Sequence, residues 1–228
     1  MKKIVILTGA GMSAESGIKT FREADGLWEG HDILEVASPV GWNKSNKLVL
    51  DFYNKRRAQL LTVSPNLAHQ SLVKLEKKYS VNIITQNIDD LHERAGSSNV
   101  LHLHGELLKV RSTKNSNLIY NWTKDLNIGD VCPENSQLRP HIVWFGENVP
   151  MLDNAIEITS EADILIIIGT SMQVYPAANL INYTKSSIPI YFIDPKPSIR
   201  ENYFRNLTVI PEKASIGVTN LVNQLIEP

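Results

Sequence analysis

Residues 81–92 read VNIITQNIDDLH, an apolar run that turns abruptly polar. Branched apolar residues dominate positions 81–84, which predicts a buried strand, and Gln86, Asn87 and Asp89 follow directly at its end. His104 comes just after the next apolar run along the chain. Open α/β sheets bind their ligands at the carboxyl ends of the strands. We therefore predict that these amide, carboxylate and imidazole groups gather at one edge of a sheet and form the functional site.

Short apolar runs recur along the chain and are mostly continuous rather than alternating. They lie at residues 3–7, 81–85, 100–103, 163–168, 188–193 and 207–210. Continuous apolar runs are typical of parallel strands that are covered on both faces. Stretches with helical spacing lie between some of them, at residues 65–79, 153–161 and 217–226, the first with Ser64 as its candidate cap. This alternation predicts an α/β fold with a Rossmann-like, doubly wound parallel sheet.

Two segments interrupt the alternation. Residues 20–63 are long and contain several aromatic side chains, which predicts a helical insertion. Residues 109–140 are polar with scattered apolar positions, and they predict a small inserted lobe or flap. We expect one domain over residues 1–228, with a Rossmann-like core made of residues 1–19, 64–108 and 141–228. The cleft between the sheet and the insertions is the expected binding site.

Composition argues against several classes of function. The 228 residues include 23 basic and 24 acidic side chains, so we expect no nucleic-acid partner. The apolar run at 164–168 is too short to cross a membrane, and the run at 4–7 leads into a glycine-rich turn like a first strand, not an export signal. The single cysteine, Cys132, excludes an intramolecular disulfide and a multi-thiolate metal site. We expect a cytoplasmic monomer.

The first predicted strand runs into a glycine-rich loop, TGAGMSAESG at residues 8–17. Glycines let backbone amides approach a pyrophosphate, and a following helix N-terminus favours negative charge. The loop departs from the dehydrogenase fingerprint, because Ala14 stands where a third glycine is expected. The pattern favours a nucleotide held in a different arrangement. A turn that needs glycine only for its flexibility is the alternative interpretation.

Six motifs in order along the chain resemble those of the sirtuins, the NAD-dependent protein deacylases. They are GAGMSAESGI at 9–18, TFR at 20–22, TQNID at 85–89, LHG at 103–105, VWFGE at 143–147 and GTS at 169–171. The similarity is greatest to bacterial class III sirtuins of the desuccinylase-like type. That group carries a Tyr-x-x-Arg pair, matched by Tyr53 and Arg56, and a small residue lining the acyl pocket, matched by Ala24.

The resemblance implies a reaction in which NAD loses nicotinamide and its ribose accepts the acyl group of a modified lysine. The products would be free lysine, nicotinamide and O-acyl-ADP-ribose. His104 would be the general base, while Asn87 and Asp89 would hold the nicotinamide carboxamide. The resemblance assigns these residues to NAD: Gly9, Ala10, Gly11, Ser13, Glu15, Phe21, Arg22, Gln86, Asn87, Ile88, Asp89, Gly169, Thr170, Ser171, Asp194 and Ala214.

The same resemblance implies an acylated lysine on a protein as the second substrate. The residues assigned to it are Ala24, Tyr53, Arg56, Val143, Phe145, Gly146, Glu147, Val174 and Tyr175. Two exposed backbone edges, at 143–147 and 174–176, would hold the substrate peptide as an added strand. The alternative for Trp144 and Phe145 is that both are core side chains.

Tyr53 and Arg56 are expected to select the acyl group. They are three residues apart, which places them on one face of a helix. An arginine fork matches a carboxylate and a tyrosine adds a hydroxyl donor, so the pair would prefer succinyl or malonyl chains. The alternative is that Arg56 and Arg57 form a solvated basic face.

The chain departs from the family pattern in the segment 109–140. Sirtuins usually carry four cysteines in two Cys-x-x-Cys pairs that bind a structural zinc, whereas this segment holds only Cys132, with Ser112 and Asn115 near the first pair. One thiolate does not make a tetrahedral zinc site. We predict a lobe without metal, whose core would use Leu118, Ile119, Tyr120, Trp122 and Leu126.

Three hypotheses for function remain open at this point. The first is a lysine deacylase that removes acetyl and acidic acyl groups, and the second is a mono-ADP-ribosyltransferase on the same scaffold. The third is a non-catalytic module that binds NAD. His102 alternates with His104 along the chain and so falls on the same face of an extended strand, but only His104 precedes Gly-Glu. We expect structural or exposed positions for His31, His69 and His141.

Overall fold

A computed structural model describes residues 1–19, 27–28, 30–200 and 203–227. Its strands are β1 Lys3–Thr8, β2 Leu27–Trp28, β3 His31–Asp32, β4 Ser80–Thr85, β5 Val100–His102, β6 Gly105–Ser112, β7 Ile119–Asn121, β8 Leu138–Ile142, β9 Ile164–Ile168, β10 Ile190–Ile193 and β11 Leu207–Ile210. Its α-helices are α1 Ile33–Val36, α2 Pro39–Lys44, α3 Asn46–Leu60, α4 Leu67–Leu75, α5 Leu91–Ala95, α6 Leu152–Ser160 and α7 Ala214–Ile226. Short 3-10 helices include Ala10–Met12, Ala14–Ser16 and Ala177–Tyr183. Among these described helices, none combines the length and apolar character that a membrane crossing requires.

The main sheet has six parallel strands in the order β11-β10-β9-β1-β4-β5. The chain builds outward from β1 to β4 and β5 on one side, and then from β9 to β11 on the other. The strand order therefore reverses between β1 and β9, where open α/β sheets form their ligand crevice. The prediction of a Rossmann-like, doubly wound parallel sheet is confirmed.

Both faces of this sheet are buried, which explains the continuous apolar runs. Ile4 and Ile6 of β1 belong to a core that includes side chains of α4 and α7. Val5 and Leu7, which point to the opposite face, belong to a second core with α6 and the 3-10 helix Ala177–Tyr183. The two layers hold the loops that follow β1, β4, β9 and β10 at a common edge.

Helix α4 begins two residues later than the sequence pattern predicts. Its cap is Asn66, whose Oδ1 accepts a hydrogen bond from the backbone N–H of Ala68 at 2.9 Å, and His69 completes a capping box. The prediction of Ser64 as the cap is therefore wrong. Asn66 also donates from Nδ2 to the carbonyl of Met12 at 2.9 Å, so this cap ties the helix to the glycine-rich loop.

The predicted helical insertion contains α1, α2 and α3, and its boundaries at 20 and 63 stay a prediction. In the lobe, β6, β7 and β8 form an antiparallel sheet in the order β7-β6-β8. Leu126 lies in the lobe core as expected, with Leu118, Tyr120 and Trp122 packed at its margin. Ile119 is 42 % exposed, so its assignment to the core is wrong. The reason is that successive side chains of a strand point to opposite faces.

Candidate active site

The loops after β1 and β9 meet backbone to backbone at the point where the strand order reverses. The N–H of Gly9 donates to the carbonyl of Ile168 at 3.0 Å, and that of Gly11 donates to the carbonyl of Gly169 at 2.8 Å. A Cβ on Gly9 would lie 2.8 Å from the oxygen of Gly169, and one on Gly11 would lie 2.7 Å from its Cα. Close packing therefore requires glycine here, and both N–H groups are satisfied within the protein. The assignment of Gly9, Ala10 and Gly11 to NAD stays a prediction.

A buried chain of hydrogen bonds joins this loop to the loop after β4. The side-chain nitrogen of Asn87 donates to the carbonyl of Gly9 at 3.0 Å and to the hydroxyl of Ser13 at 3.1 Å. Ser13 in turn donates to Oδ2 of Asp89 at 2.9 Å. Burial raises the pKa of Asp89, although the bond from Ser13 opposes this change. The structure thus brings together Ser13, Asn87 and Asp89, and it leaves Oδ1 of Asn87 as the amide atom that can meet a ligand.

His104 lies beside this cluster, and its tautomer follows from its partner. Its Nδ1 is 3.0 Å from the carbonyl oxygen of Gln86. A carbonyl oxygen only accepts hydrogen bonds, so Nδ1 carries the proton and Nε2 keeps its lone pair. Burial lowers the pKa of His104, and the bond to Gln86 only partly opposes this effect. The side chain is therefore a neutral imidazole that can take a proton at Nε2.

This geometry predicts the acid side of the pH profile. The sequence predicts His104 as a general base, which acts in its neutral form, so activity should fall as the pH drops through its pKa, which lies below the ordinary value of 6.5. We expect kcat/KM for the predicted reaction to stay level on the acid side of neutrality and to fall only below pH 6.5. Initial rates measured between about pH 5 and 8 test this. An acid limb centred above neutrality would contradict it.

Further predicted NAD residues follow the neighbouring strands. Gln86, after β4, donates from Nε2 to the hydroxyl of Thr170, after β9, at 3.1 Å. Thr170 is buried, and its oxygen also accepts from the N–H of Met172 at 3.2 Å. Asp194, after β10, is buried and accepts from the N–H of Lys196 at 2.8 Å. These side chains share one edge of the sheet, as the sequence predicts.

Glu15 has a partner that the sequence does not reveal. Its carboxylate accepts from the backbone N–H of Ser215 at 2.9 Å and from the Ser215 hydroxyl at 2.7 Å. These bonds place the negative charge at the start of α7, where the helix dipole favours it. Ala214, the first residue of α7, is buried beside this contact. Glu15 therefore joins the glycine-rich loop to α7, and its assignment to NAD stays a prediction.

The proposed peptide edge at 143–147 is partly occupied by the protein itself. The N–H of Val143 donates to the carbonyl of His104 at 2.9 Å, and that of Phe145 donates to the carbonyl of Ala37 at 2.9 Å. Phe145 is 43 % exposed whereas Trp144 is buried, so the core interpretation holds for Trp144 only. Tyr175, at the second edge, is 73 % exposed. Side chains rather than these two N–H groups are open to a peptide.

Glu147 points toward two arginines that the sequence analysis did not single out. Its Oε1 accepts from Arg139 at 2.7 Å, and its Oε2 accepts from Arg111 at 3.2 Å and from the N–H of Trp144 at 2.8 Å. Burial opposes ionisation of Glu147, but these donors outweigh it and lower its pKa. The guanidinium of Arg139 also stacks on Trp144, 3.3 Å from the ring centroid. Glu147 thus joins the segment that follows β8 to strands β6 and β8 of the lobe.

Tyr53 and Arg56 both lie on α3. The Tyr53 hydroxyl is buried and accepts from the indole N–H of Trp144 at 3.1 Å, and burial raises its pKa. The Arg56 guanidinium carbon is 5.7 Å from the centroid of the Phe52 ring, and its Nε and Nη1 atoms are buried. Arg57 is 1 % exposed and donates to the carbonyl of Leu107, so the interpretation as a solvated basic face is wrong. Phe21, Arg22 and Ala24 lie outside the described residues.

The lobe presents hydroxyl groups where the family resemblance implies zinc. Ser112, Thr113 and Ser136, here called the hydroxyl cluster, are joined by hydrogen bonds of 3.2 and 2.8 Å. Ser112 also hydrogen-bonds the thiol of Cys132 and thereby lowers its pKa. Zinc prefers thiolate, imidazole and carboxylate ligands, and no group of three or more such side chains that could hold a metal occurs in the part of the chain that the structure describes. These residues do not fit zinc.

Metal removal tests the prediction of a lobe without zinc. We expect a chelator to shift the thermal unfolding midpoint by less than about 1 °C, because hydrogen bonds join the turns of the lobe and the prediction gives it no metal to lose. Differential scanning fluorimetry with and without EDTA measures the shift, and elemental mass spectrometry counts bound zinc. One zinc per chain, or a large fall in the midpoint, would contradict the prediction.

Comparisons with known proteins agree with this architecture. A model described as the Sir2 family matches residues 9–176. The chain is 62 % identical over 227 residues to an NAD-dependent protein deacylase of Helicobacter pylori. The alignment covers 100 % of this chain and 99 % of the relative. It is 49 % identical over 235 residues to one of Bacteroides thetaiotaomicron, covering 99 % of each. A solved complex of a Sir2 homolog with NAD superposes with a TM-score of 0.88 at 40 % identity, covering 98 % of this chain and 89 % of that one.

Proposed function

Because the chain belongs to the Sir2 family and is an NAD-dependent protein deacylase, we propose that it moves the acyl group of a modified lysine onto the ribose of NAD. Nicotinamide, the free lysine and O-acyl-ADP-ribose are then the products. The observation that carries this proposal is the neutral His104, with Nε2 open to a proton, beside the buried pair Asn87 and Asp89. A module that only binds NAD has no use for such a base.

The chain's own residues fit the polar groups of NAD. In the proposal, Oδ1 of Asn87 accepts from the carboxamide N–H, and the carboxyl group of Asp89 lies beside it, held by Ser13. Gln86 lies at the edge that would meet the ribose, and His104 takes a proton from a ribose hydroxyl at Nε2. When bound, NAD supplies the activated ribose carbon. Because Asn87 and Asp89 are buried, a carboxamide that they hold would be shielded from water.

The proposal also covers the acyl group. Alongside acetyl groups, the enzyme removes succinyl and malonyl groups, whose terminal carboxylate pairs with Arg56 and accepts from the Tyr53 hydroxyl. Support comes from the partly buried guanidinium of Arg56 on α3. A charge that is partly shielded from water attracts a carboxylate more strongly than a fully solvated one. The Tyr53 oxygen accepts from Trp144, so its own O–H remains available to donate.

Product analysis tests the reaction. The full-length protein is incubated with NAD and one peptide that is acetylated or succinylated on the same lysine, and the products are resolved by mass spectrometry. We expect nicotinamide and O-acyl-ADP-ribose in equal amounts. ADP-ribosylated protein would instead identify a mono-ADP-ribosyltransferase, and NAD binding without release of nicotinamide would identify a binding module.

We also propose that the enzyme is a cytoplasmic monomer acting on proteins and not on nucleic acid. The single cysteine in 228 residues supports a cytoplasmic location. The net charge of −1 supports the absence of a nucleic-acid partner. Size-exclusion chromatography with light scattering tests the monomer, for which we expect a mass near 25.6 kDa.

A further inference from the structure

His102, the last residue of β5, holds a position that the proposed reaction does not use. Its Nδ1 is 3.2 Å from the carbonyl oxygen of Asn87, and its Nε2 is 2.7 Å from Oε1 of Glu93. The side chain is 8 % exposed. Both partners are acceptors, and a ring nitrogen must carry a proton to bond an acceptor. The two contacts together therefore require a doubly protonated imidazolium.

Carboxyl groups surround His102 on several sides. Glu93 belongs to α5, Glu106 to β6, and Asp89 to the loop after β4. Burial alone lowers the pKa of His102, but the hydrogen bond and charge of Glu93, with the charge of Glu106, outweigh burial and raise it. The burial of this charge is thus compensated by a bonded counter-ion, as buried charges require.

The other titratable groups near His102 do not reverse the rise in its pKa. Lys109 faces the same groove, but it is paired with Glu106 at 2.7 Å. His141 also lines the groove, and burial lowers its pKa to about 4, so it is neutral at physiological pH. Burial likewise lowers the pKa of His92 well below its usual range. His102 is therefore the histidine of this group that carries charge.

His102 and His104 bond consecutive carbonyls of one loop. His104 bonds the carbonyl of Gln86, and His102 bonds that of Asn87. The two rings differ in protonation, because His104 has one acceptor partner and His102 has two. The loop 86–89 is thus held by a neutral His104 at Gln86 and by a charged His102 at Asn87. The side-chain amide of Asn87 is the one assigned to the NAD site.

We propose that His102 is a positioning residue, which as an imidazolium anchored by Glu93 holds the main chain of Asn87 and so orients the carboxamide-binding pair Asn87 and Asp89. A neutral ring has one N–H and can serve only one of its two acceptors. On deprotonation the remaining proton stays on Nε2, because the carboxylate of Glu93 is the closer and stronger acceptor, so the bond to Asn87 is lost. This proposal rests on the proposed deacylase function, because it assigns nicotinamide to Asn87 and Asp89.

Two substitutions separate the two bonds. The amide nitrogen of asparagine takes the place of Nδ1, and that of glutamine takes the place of Nε2, so His102→Asn keeps the bond to Asn87 and His102→Gln keeps the bond to Glu93. We expect His102→Asn to keep kcat/KM for NAD within about 3-fold of wild type, and His102→Gln to lose about 10-fold or more. Similar losses in both variants would overturn the proposal, as would full activity of His102→Gln.

The dependence of kcat/KM on pH distinguishes the proposed role of His102 from a purely structural one, which would not change that dependence. Charged His102 is the active form, so kcat/KM for NAD falls on the alkaline side as the pH rises through its pKa. Glu93→Gln keeps an acceptor but removes the charge, so we expect this limb to shift to lower pH, and His102→Asn to lack it. Unfolding midpoints are measured in parallel. Unchanged profiles with lowered midpoints would show a structural role and overturn the proposal.

A binding measurement separates this proposal from the function on which it rests. Wild-type protein that releases no nicotinamide would reject the deacylase reaction itself. NAD affinity is then measured by calorimetry at about pH 6.5 and pH 9 for wild type and both His102 variants. Weaker binding of wild type at the higher pH, absent in His102→Asn, would support the positioning role even without turnover. Binding independent of pH in all three would overturn it.

Discussion

Replacing His104 with alanine is expected to lower the rate of acyl transfer by about 10²–10⁴-fold, the usual contribution of a general base. The substitution removes the neutral Nε2 that takes the hydroxyl proton in the proposed reaction, while Asn87 and Asp89 keep their bonds to Ser13. NAD affinity should therefore stay within about 3-fold of wild type, since the side chains proposed to bind it remain. Single-turnover deacylation and calorimetric NAD binding measure the two effects.

His141→Ala is the matched control for this prediction. His141 lies on β8 in the groove beside Lys109, and it is neutral at physiological pH because burial lowers its pKa to about 4. Its removal changes no charge, so the deacylation rate should stay near that of wild type. A His104→Ala enzyme that transfers acyl groups within tenfold of the wild-type rate, about 1.4 kcal/mol, would mean that another group is the base.

Arg56→Ala is expected to reduce desuccinylation by about 100-fold and deacetylation by less than about 3-fold. The succinyl carboxylate would enter a partly buried position without its counter-charge, whereas an acetyl group has no charge to lose. Paired peptides that differ only in the acyl group give kcat/KM for each reaction. An equal loss of both activities would remove Arg56 from the acyl pocket.

Lys55→Ala supplies the control, because Lys55 is exposed on the same helix. Arg57 is unsuitable as a control, because it is buried and bonds Leu107, so its removal would disturb the fold. Tyr53→Phe is also a poor first test. It would leave the buried indole N–H of Trp144 without its acceptor, and that cost would obscure any effect on the acyl group.

The sheet and its functional edge could be predicted from sequence, because local pattern controls both. Strands buried on two faces must be apolar throughout, and residues that follow such strands must meet at one edge. Gln86, Asn87 and Asp89 lie at that edge for this reason. The glycine-rich loop was harder to interpret, because Gly9 and Gly11 are needed for packing against Gly169, far away in the chain. Local sequence does not reveal such a contact.

The features that sequence analysis missed depend on distant partners. From the sequence, Arg57 is expected at the surface. In the structure its guanidinium is buried and donates to the carbonyl of Leu107. Likewise, Glu15 faces Ser215, at the other end of the chain. His102, at the end of strand β5, contacts Glu93 of helix α5. The fold brings each pair together, and the spacing of the residues along the sequence does not predict the contact.

The hydroxyl cluster bears on how the lobe would respond to oxidants. Peroxide converts thiolates to sulfenic and higher acids, whereas the alcohols of Ser112, Thr113 and Ser136 do not enter this series. Cys132 contributes the lobe's one sulfur, and it is 4 % exposed. We therefore expect the hydrogen bonds among these three hydroxyl groups to persist in peroxide at levels that oxidise thiolate clusters.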